Sequence, residues 1–283
     1  MANIRLIRRR IRSIQSTAKI TRAMEMIAAS KMRRAQQNVL AGRPYAEKIR
    51  QVLAHLAAQP GAAVHPLLER REVSNIQVIH ITPDRGLCGG LNTNMNRSTA
   101  SFILEQVAPT VLITVGKKGR DYMTRYGRQV QAEFTAIGDQ PSLMDTLPIS
   151  RIVIDDYSNG SVDAVYLAYP RFVNTMIQRP VLDQLLPVQP ATIERPGEIE
   201  YIYEPSSKAV LAELLPRFVE MEVYHAVLES IASEQSARMV AMRNATENAN
   251  EMVQDLTLAY NKARQEMITK ELLDITGGAE ALA

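Results

Sequence analysis

The chain has 283 residues, 46% of them hydrophobic, a net charge of +3, no Trp and one cysteine, Cys88. That length and apolar content suit one or two domains with a sizeable core. A lone cysteine excludes a disulfide within the chain and points to a reducing compartment, and no apolar run approaches the roughly eighteen residues of a membrane span.

Residues 1 to 60 read as one long helix. Ile4, Ile7, Ile11, Ile14, Ala18 and Thr21 recur at spacings of three and four, and Met24, Ile27, Ala28 and Met32 continue the edge. That is the seam of a coiled coil. Gly42 and Pro44 are expected to weaken or kink the helix, and Pro60-Gly61 to stop it, so that it covers about residues 3 to 58. Residues 1 to 34 hold ten Lys or Arg against one acid, Glu25, a local field able to attract an acidic partner. The heptad phase runs unbroken from Ile4 into Thr21, which reads as structure rather than a targeting peptide.

The period changes over residues 61 to 205. Ile76–Ile81, Val111–Val115 and Ala164–Tyr169 are short β-branched or aromatic runs, with helices expected at about 92 to 107, 117 to 127 and 149 to 159. Alternating strands and helices predict an α/β domain with a mainly parallel sheet. Phe172 to Gln178 turns around Asn174 into Pro180 to Pro187, read as one or two further, antiparallel strands. The turn D-R-G-L-C-G-G-L-N, Asp84 to Asn92, lies where a phosphate cradle would be. Its spacing fits neither dinucleotide nor P-loop glycines, so Gly86, Gly89 and Gly90 are expected to supply positive φ where strand turns into helix. His55, His65, His80 and His225 show no metal-ligand spacing, and His80 in its apolar strand reads as a satisfied core histidine. No nucleophile, base and orienting residue can be assembled, and no cofactor or metal site is expected.

Residues 206 to 283 predict the second long helix. Leu228, Ile231, Gln235, Met242, Ala245, Ala249, Met252, Leu256, Ala259 and Ala263 form its seam, and from Pro216 to Gly277 no proline or glycine intervenes. About sixty unbroken residues span roughly 90 Å, longer than a domain of this size is wide. Two such helices at opposite ends of the sequence can pair antiparallel if the middle folds as a separate body.

The residues resemble the γ subunit, the central rotor shaft, of F-type ATP synthases. Four stretches carry the likeness: Arg10 to Met32, D-R-G-L-C-G-G-L-N, S-E-Q-S-A-R-M-V-A-M-R-N-A-T from Ser233, and Ile268 to Leu282. The last matches the family's signature at Ile268, Thr269, Glu271, Asp274, Gly278 and Ala279. The resemblance implies an antiparallel coiled coil of the terminal helices plus a central Rossmann-like α/β domain, divided at 1–60, 61–205 and 206–283. It implies a non-catalytic subunit inserted in a hexamer of three α and three β subunits, standing on a membrane c ring beside ε. Proton flow would turn ring and shaft together, and the shaft would drive the catalytic sites through their states in turn. The thiol-control cysteine pair of the chloroplast form is absent. With no transit segment before the match, a bacterial protein on the cytoplasmic face of the plasma membrane is expected.

The resemblance also places the expected contacts. Met24 and the stretch containing Gln235, Arg238 and Met242 are expected side by side where the shaft meets the hexamer. Arg238 occupies a seam-like position, and an unpaired buried guanidinium is costly; its expected partner is a carbonyl or carboxylate outside the chain. Tyr203 and Glu204, in the segment from Tyr201 to Ser207, are expected to face the loops of the c ring. A nucleic-acid-binding coiled coil would want aromatic or amide readout positions among the charges of residues 1 to 34, and that segment has no aromatic residue. A dinucleotide-dependent oxidoreductase lacks its glycine fingerprint.

Overall fold

A computed structural model describes residues 2–57, 65–189, 203–204 and 206–280. The expected stop at Pro60-Gly61 and Tyr201 lie outside them. Two compact units result: Met1–Ala28 with Met239–Ala283, and Ala29–Arg238. Helices α1 (Ala2–Ala57) and α5 (Ser207–Glu280) contribute to both.

In the first unit the helices pair antiparallel. Arg8 reaches the Tyr260 hydroxyl, Thr21 meets Thr246 and Arg243 meets Glu25. From Arg8 to Glu25 the contacts advance 17 residues along α1, and from Tyr260 to Arg243 they retreat 17 along α5. The register therefore holds without slip. Ala18, Thr21, Ala28 and Ala249 are buried and Ile4, Ile7, Ile11, Ile14, Val253, Leu256, Tyr260 and Ala263 half-buried, alternating by three and four. The expected seam drifted on both helices, and Ile27 of α1 is exposed. Met252 and Ala259 point outward, and Val253 and Tyr260 take the inner positions, because successive heptads of an α-helix rotate the apolar stripe unless supercoiling corrects it.

The second unit is an α/β sandwich, as expected. Its sheet has the order β3-β2-β1-β4-β5. Strands β1 (Ile76–Ile81), β2 (Thr110–Val115), β3 (Val130–Phe134) and β4 (Ala164–Phe172) run parallel, and β5 (Gln178–Leu186) returns antiparallel to β4. Strand alternation assigns the faces. Ile79, Ile81, Ile113, Val115, Val165 and Leu167 pack with helix α4 (Leu143–Ser158) and with the parts of α1 and α5 in this unit. Val78, Leu112, Ala164 and Ala168 face helices α2 (Leu91–Glu105) and α3 (Lys117–Arg125) through Met95, Ile103 and Met123.

Two expectations fail for local reasons, while the expected extent of α1, about residues 3 to 58, holds. Strand β3 went unread because its buried positions are only partial, so its alternation is shallow. Helix α4 starts at Leu143, ahead of Pro148; Asp145 accepts the Ser142 backbone N–H at 2.7 Å and closes the first turn. Helix α1 continues through Gly42 and Pro44, where Ile49, Leu53 and Leu56 are buried in the core of this unit. Burial of three large side chains, about 2 kcal/mol each, offsets one missing helical hydrogen bond.

Candidate functional site

The S-E-Q-S-A-R stretch of α5 meets three loops at the carboxyl edge of the sheet. The Ser233 hydroxyl donates to the Pro170 carbonyl at 2.8 Å, and Ser236 donates to the Thr175 carbonyl at 2.8 Å. Both acceptors belong to the β4–β5 hairpin. Gln235 Nε2 donates to Asp139 Oδ1 at 3.1 Å. Arg238 donates to Glu234 at 2.6 Å and to the Gly86 carbonyl at 3.2 Å. This corrects the expectation that its guanidinium lacks a partner within the chain: an i,i+4 carboxylate lay one turn away.

The glycine-rich turn is held from beneath. Asp84 accepts the backbone N–H groups of Lys117 and Ala136, both at 2.9 Å, tying it to α3 and to the loop after β3. Of its glycines only Gly89 has positive φ, +59°, and Leu87 takes the other left-handed position at +63°. Gly86 instead turns its carbonyl toward Arg238. Cys88 is buried, and burial raises its thiol pKa while Arg238 opposes. Burial likewise raises the Glu234 carboxyl, with Arg238 countering.

Below this edge lies a second polar group. His80 is fully buried, with Nε2 2.8 Å from Asn96 Oδ1 and Nδ1 3.0 Å from Thr99 Oγ1. The Asn96 oxygen can only accept, so Nε2 carries the proton and Nδ1 accepts from Thr99. Burial pushes the ring down to a pKa of about 4, with the Asn96 bond opposing. It is a satisfied core histidine. Asp156 accepts from Gln77 at 2.7 Å and Gln131 at 2.9 Å.

The other expected contact residues differ in exposure. Gln235 and Met242 are 2% and 5% exposed, turned to the chain's own interior, and Met24 is half-buried. Tyr203 is half-buried and Glu204 exposed. What sequence reasoning missed is Asp139, a lone acid in a polar loop with no periodicity to mark it. Among the described residues no cluster of three His, Cys, Asp or Glu could hold a metal, and no helix is long and apolar enough to cross a membrane.

One unit is thus a helix pair in fixed register, and in the other the loops of an α/β sheet are held to a long helix through serines and an ion pair. Comparison with known proteins gives the chain a family. The ATP synthase family model matches residues 3–282. The chain is 63% identical over 285 residues to the ATP synthase gamma chain of Dehalococcoides mccartyi strain CBDB1, covering 100% of both. It belongs to the ATP synthase gamma-chain family. The gamma chain of Herpetosiphon aurantiacus is 50% identical over 293 residues, with 100% of this chain and 99% of that one covered. Among solved structures, the central stalk and c-ring structure of the Tetrahymena thermophila mitochondrial ATP synthase contains a chain similar at a TM-score of 0.62 and 25% identity, covering 80% of this chain and 99% of that one. A chain of the Euglena gracilis mitochondrial ATP synthase, in an OSCP, F1 and c-ring structure, shares the fold at a TM-score of 0.69 and 22% identity, over 99% and 95% of the two chains. A gamma chain is a non-catalytic rotor subunit, and the catalytic sites lie on the beta subunits.

Proposed function

We propose that this chain is the central rotor shaft of a bacterial proton-translocating ATP synthase, working on the cytoplasmic face of the plasma membrane. It couples rotation of the c ring to ATP synthesis or hydrolysis in a hexamer of three alpha and three beta subunits, with epsilon beside it. The observation that carries this reading is the full-length match to gamma chains, joined to a helix pair whose register does not slip.

A rotor must bias three catalytic sites by differential contact, since an element touching all states equally shifts no population. It must also avoid deep hydrophobic locking at one angle. A seam of Ala, Thr and half-buried residues with a charged exterior meets both demands. We divide the chain by role at 1–60, 61–205 and 206–283: two shaft helices and the body that carries them. Met24, Gln235, Arg238 and Met242 mark the level at which the shaft meets the hexamer, with half-buried Met24 offering the contact surface and the other three holding its geometry. Tyr203 and Glu204 form the foot on the c ring.

Co-purification tests the assignment: the tagged chain, drawn from its native membrane, brings alpha, beta, epsilon and c subunits with it. Cysteines at positions 203 and 204 crosslink to the c-ring loops. Recovery of the chain alone, or crosslinks to beta without c, would reject the role or its polarity.

A further inference from the structure

The loop from Thr135 to Ser142 does more than link β3 to α4. Asp139 places Oδ2 2.5 Å from Lys31 Nζ on α1 and accepts Gln235 Nε2 of α5 on Oδ1 at 3.1 Å. One carboxylate thus grips both long helices, one with each oxygen. The same loop's Pro141 carbonyl accepts the Tyr224 hydroxyl of α5 at 3.2 Å, three helical turns from Gln235. The loop is itself anchored to the sheet. Ala136 holds a left-handed φ of +61° while its N–H donates to Asp84, which also holds α3 through Lys117. A non-glycine residue keeps that conformation only where its surroundings over-determine it.

We propose that Asp139 is a torque clamp, a positioning residue that fixes both shaft helices to the α/β unit so that torsion reaches them together. The inference rests on the rotor reading above. Apolar contact is non-directional and lets small seam residues slide, whereas hydrogen bonds weaken steeply with misalignment. The Lys31 pair is half-exposed and contributes little to stability by itself. Gln235 is buried, so its bond to the carboxylate carries the direction of the load. Removing the clamp leaves the hydrophobic core intact and frees one helix to twist against the other.

The whole ATP synthase carrying Asp139→Ala, reconstituted in vesicles, gives the test: ATP hydrolysis and ATP-driven proton pumping measured on one preparation. Hydrolysis stays within about twofold of the unaltered complex, while protons pumped per ATP fall about threefold or more, a change equivalent to about 0.6 kcal/mol or more. Asp139→Asn, which keeps the shape and one acceptor, lies between. Should Asp139→Ala fail to assemble, Asp139→Asn decides by an intermediate fall in the same ratio. A ratio unchanged in a coupled complex overturns the clamp; an unaltered complex that never couples hydrolysis to pumping overturns the rotor reading instead.

Discussion

The hydroxyls of Thr21 and Thr246 meet 2.7 Å apart between the two helices of the first unit. Thr246 also donates to the Met242 carbonyl at 2.8 Å, and the Thr21 proton is shared between the Thr246 oxygen and the Ala18 carbonyl at 3.1 Å. A polar pair in a small-residue seam specifies register where apolar side chains alone would allow slippage. Thr21→Val keeps the shape and removes the donor. It is expected to cost about 1 kcal/mol, read as a lower midpoint in urea unfolding, and Ser at the same position is expected to recover most of it. A midpoint unchanged in Thr21→Val would deny the pair any part in register.

Acid should weaken the α/β unit through His80. Its ring is neutral in the fold with a pKa of about 4 and near 6.5 when unfolded. Above about pH 6.5 both states are neutral and the fold loses nothing. As pH falls from there the unfolded chain takes up a proton that the folded chain refuses, so stability declines down to about pH 4 and then levels, a loss of about 3 kcal/mol at most. Thermal melts of His80→Gln across this range should show a flatter pH profile than the unaltered chain. Parallel profiles would mean that other groups set the acid response.

Gly119 is expected to tolerate nothing larger. A Cβ there would lie 2.5 Å from His80 Cδ2 and 2.7 Å from Thr82 Oγ1. Both neighbours are fixed by their own hydrogen bonds, including that from the Gly119 N–H to Thr82. Gly119→Ala therefore drives α3 off the sheet and is predicted to cost about 2 kcal/mol. Gly116→Ala is worse, since its Cβ would meet the Thr82 carbonyl oxygen at 1.8 Å with φ at +94°. Melting temperatures of the two variants should fall in that order.

Breaking the Glu234–Arg238 pair on one side should cost more than replacing both members. Their side chains are 15% and 12% exposed, so Arg238→Ala leaves a carboxylate with little water and no cation. A loss of about 3 kcal/mol is expected. Glu234→Leu combined with Arg238→Met should restore a good part of it. Additive losses in the double-mutant cycle would show that the two side chains act independently.

Met24→Lys is predicted to preserve assembly and lower the efficiency with which proton flow drives synthesis. Met24 is half-buried on α1, one residue from the Glu25–Arg243 pair. A flexible cation there adds a bond favourable at one rotor angle and lost at others. About 1.4 kcal/mol of extra hold in one dwell slows escape roughly tenfold. Membrane vesicles with unchanged pumping and synthesis would reduce Met24 to coiled-coil surface.

The long elements were legible because periodicity accumulates with length, and the two terminal helices carry many turns of it. Their phase was less legible: Met252 and Val253 are both apolar neighbours, and only the supercoil decides which faces in. Strand β3 failed for the opposite reason, being five residues long at a sheet edge. The S-E-Q-S-A-R motif was visible as unusual in a seam, but its meaning lay in carbonyls of Pro170, Thr175 and Gly86, backbone atoms that no sequence pattern announces. Asp139 was unreadable for the same cause, since both of its partners lie roughly a hundred residues away in the sequence.

The seam described above ends at Ala263, Met267 is half-buried one turn further, and every residue from Ile268 to Gly277 is exposed although α5 continues to Glu280. The end of a helix without tertiary packing is marginal in water, and Ile268, Leu272, Leu273 and Ile275 there face solvent, covered by no other described residue of the unit. An apolar surface laid over these side chains would stabilise the helix there. The purified chain should therefore carry a fraying end whose amide protons exchange fast, and enclosure of that end would be the step that turns a folded subunit into a seated axle.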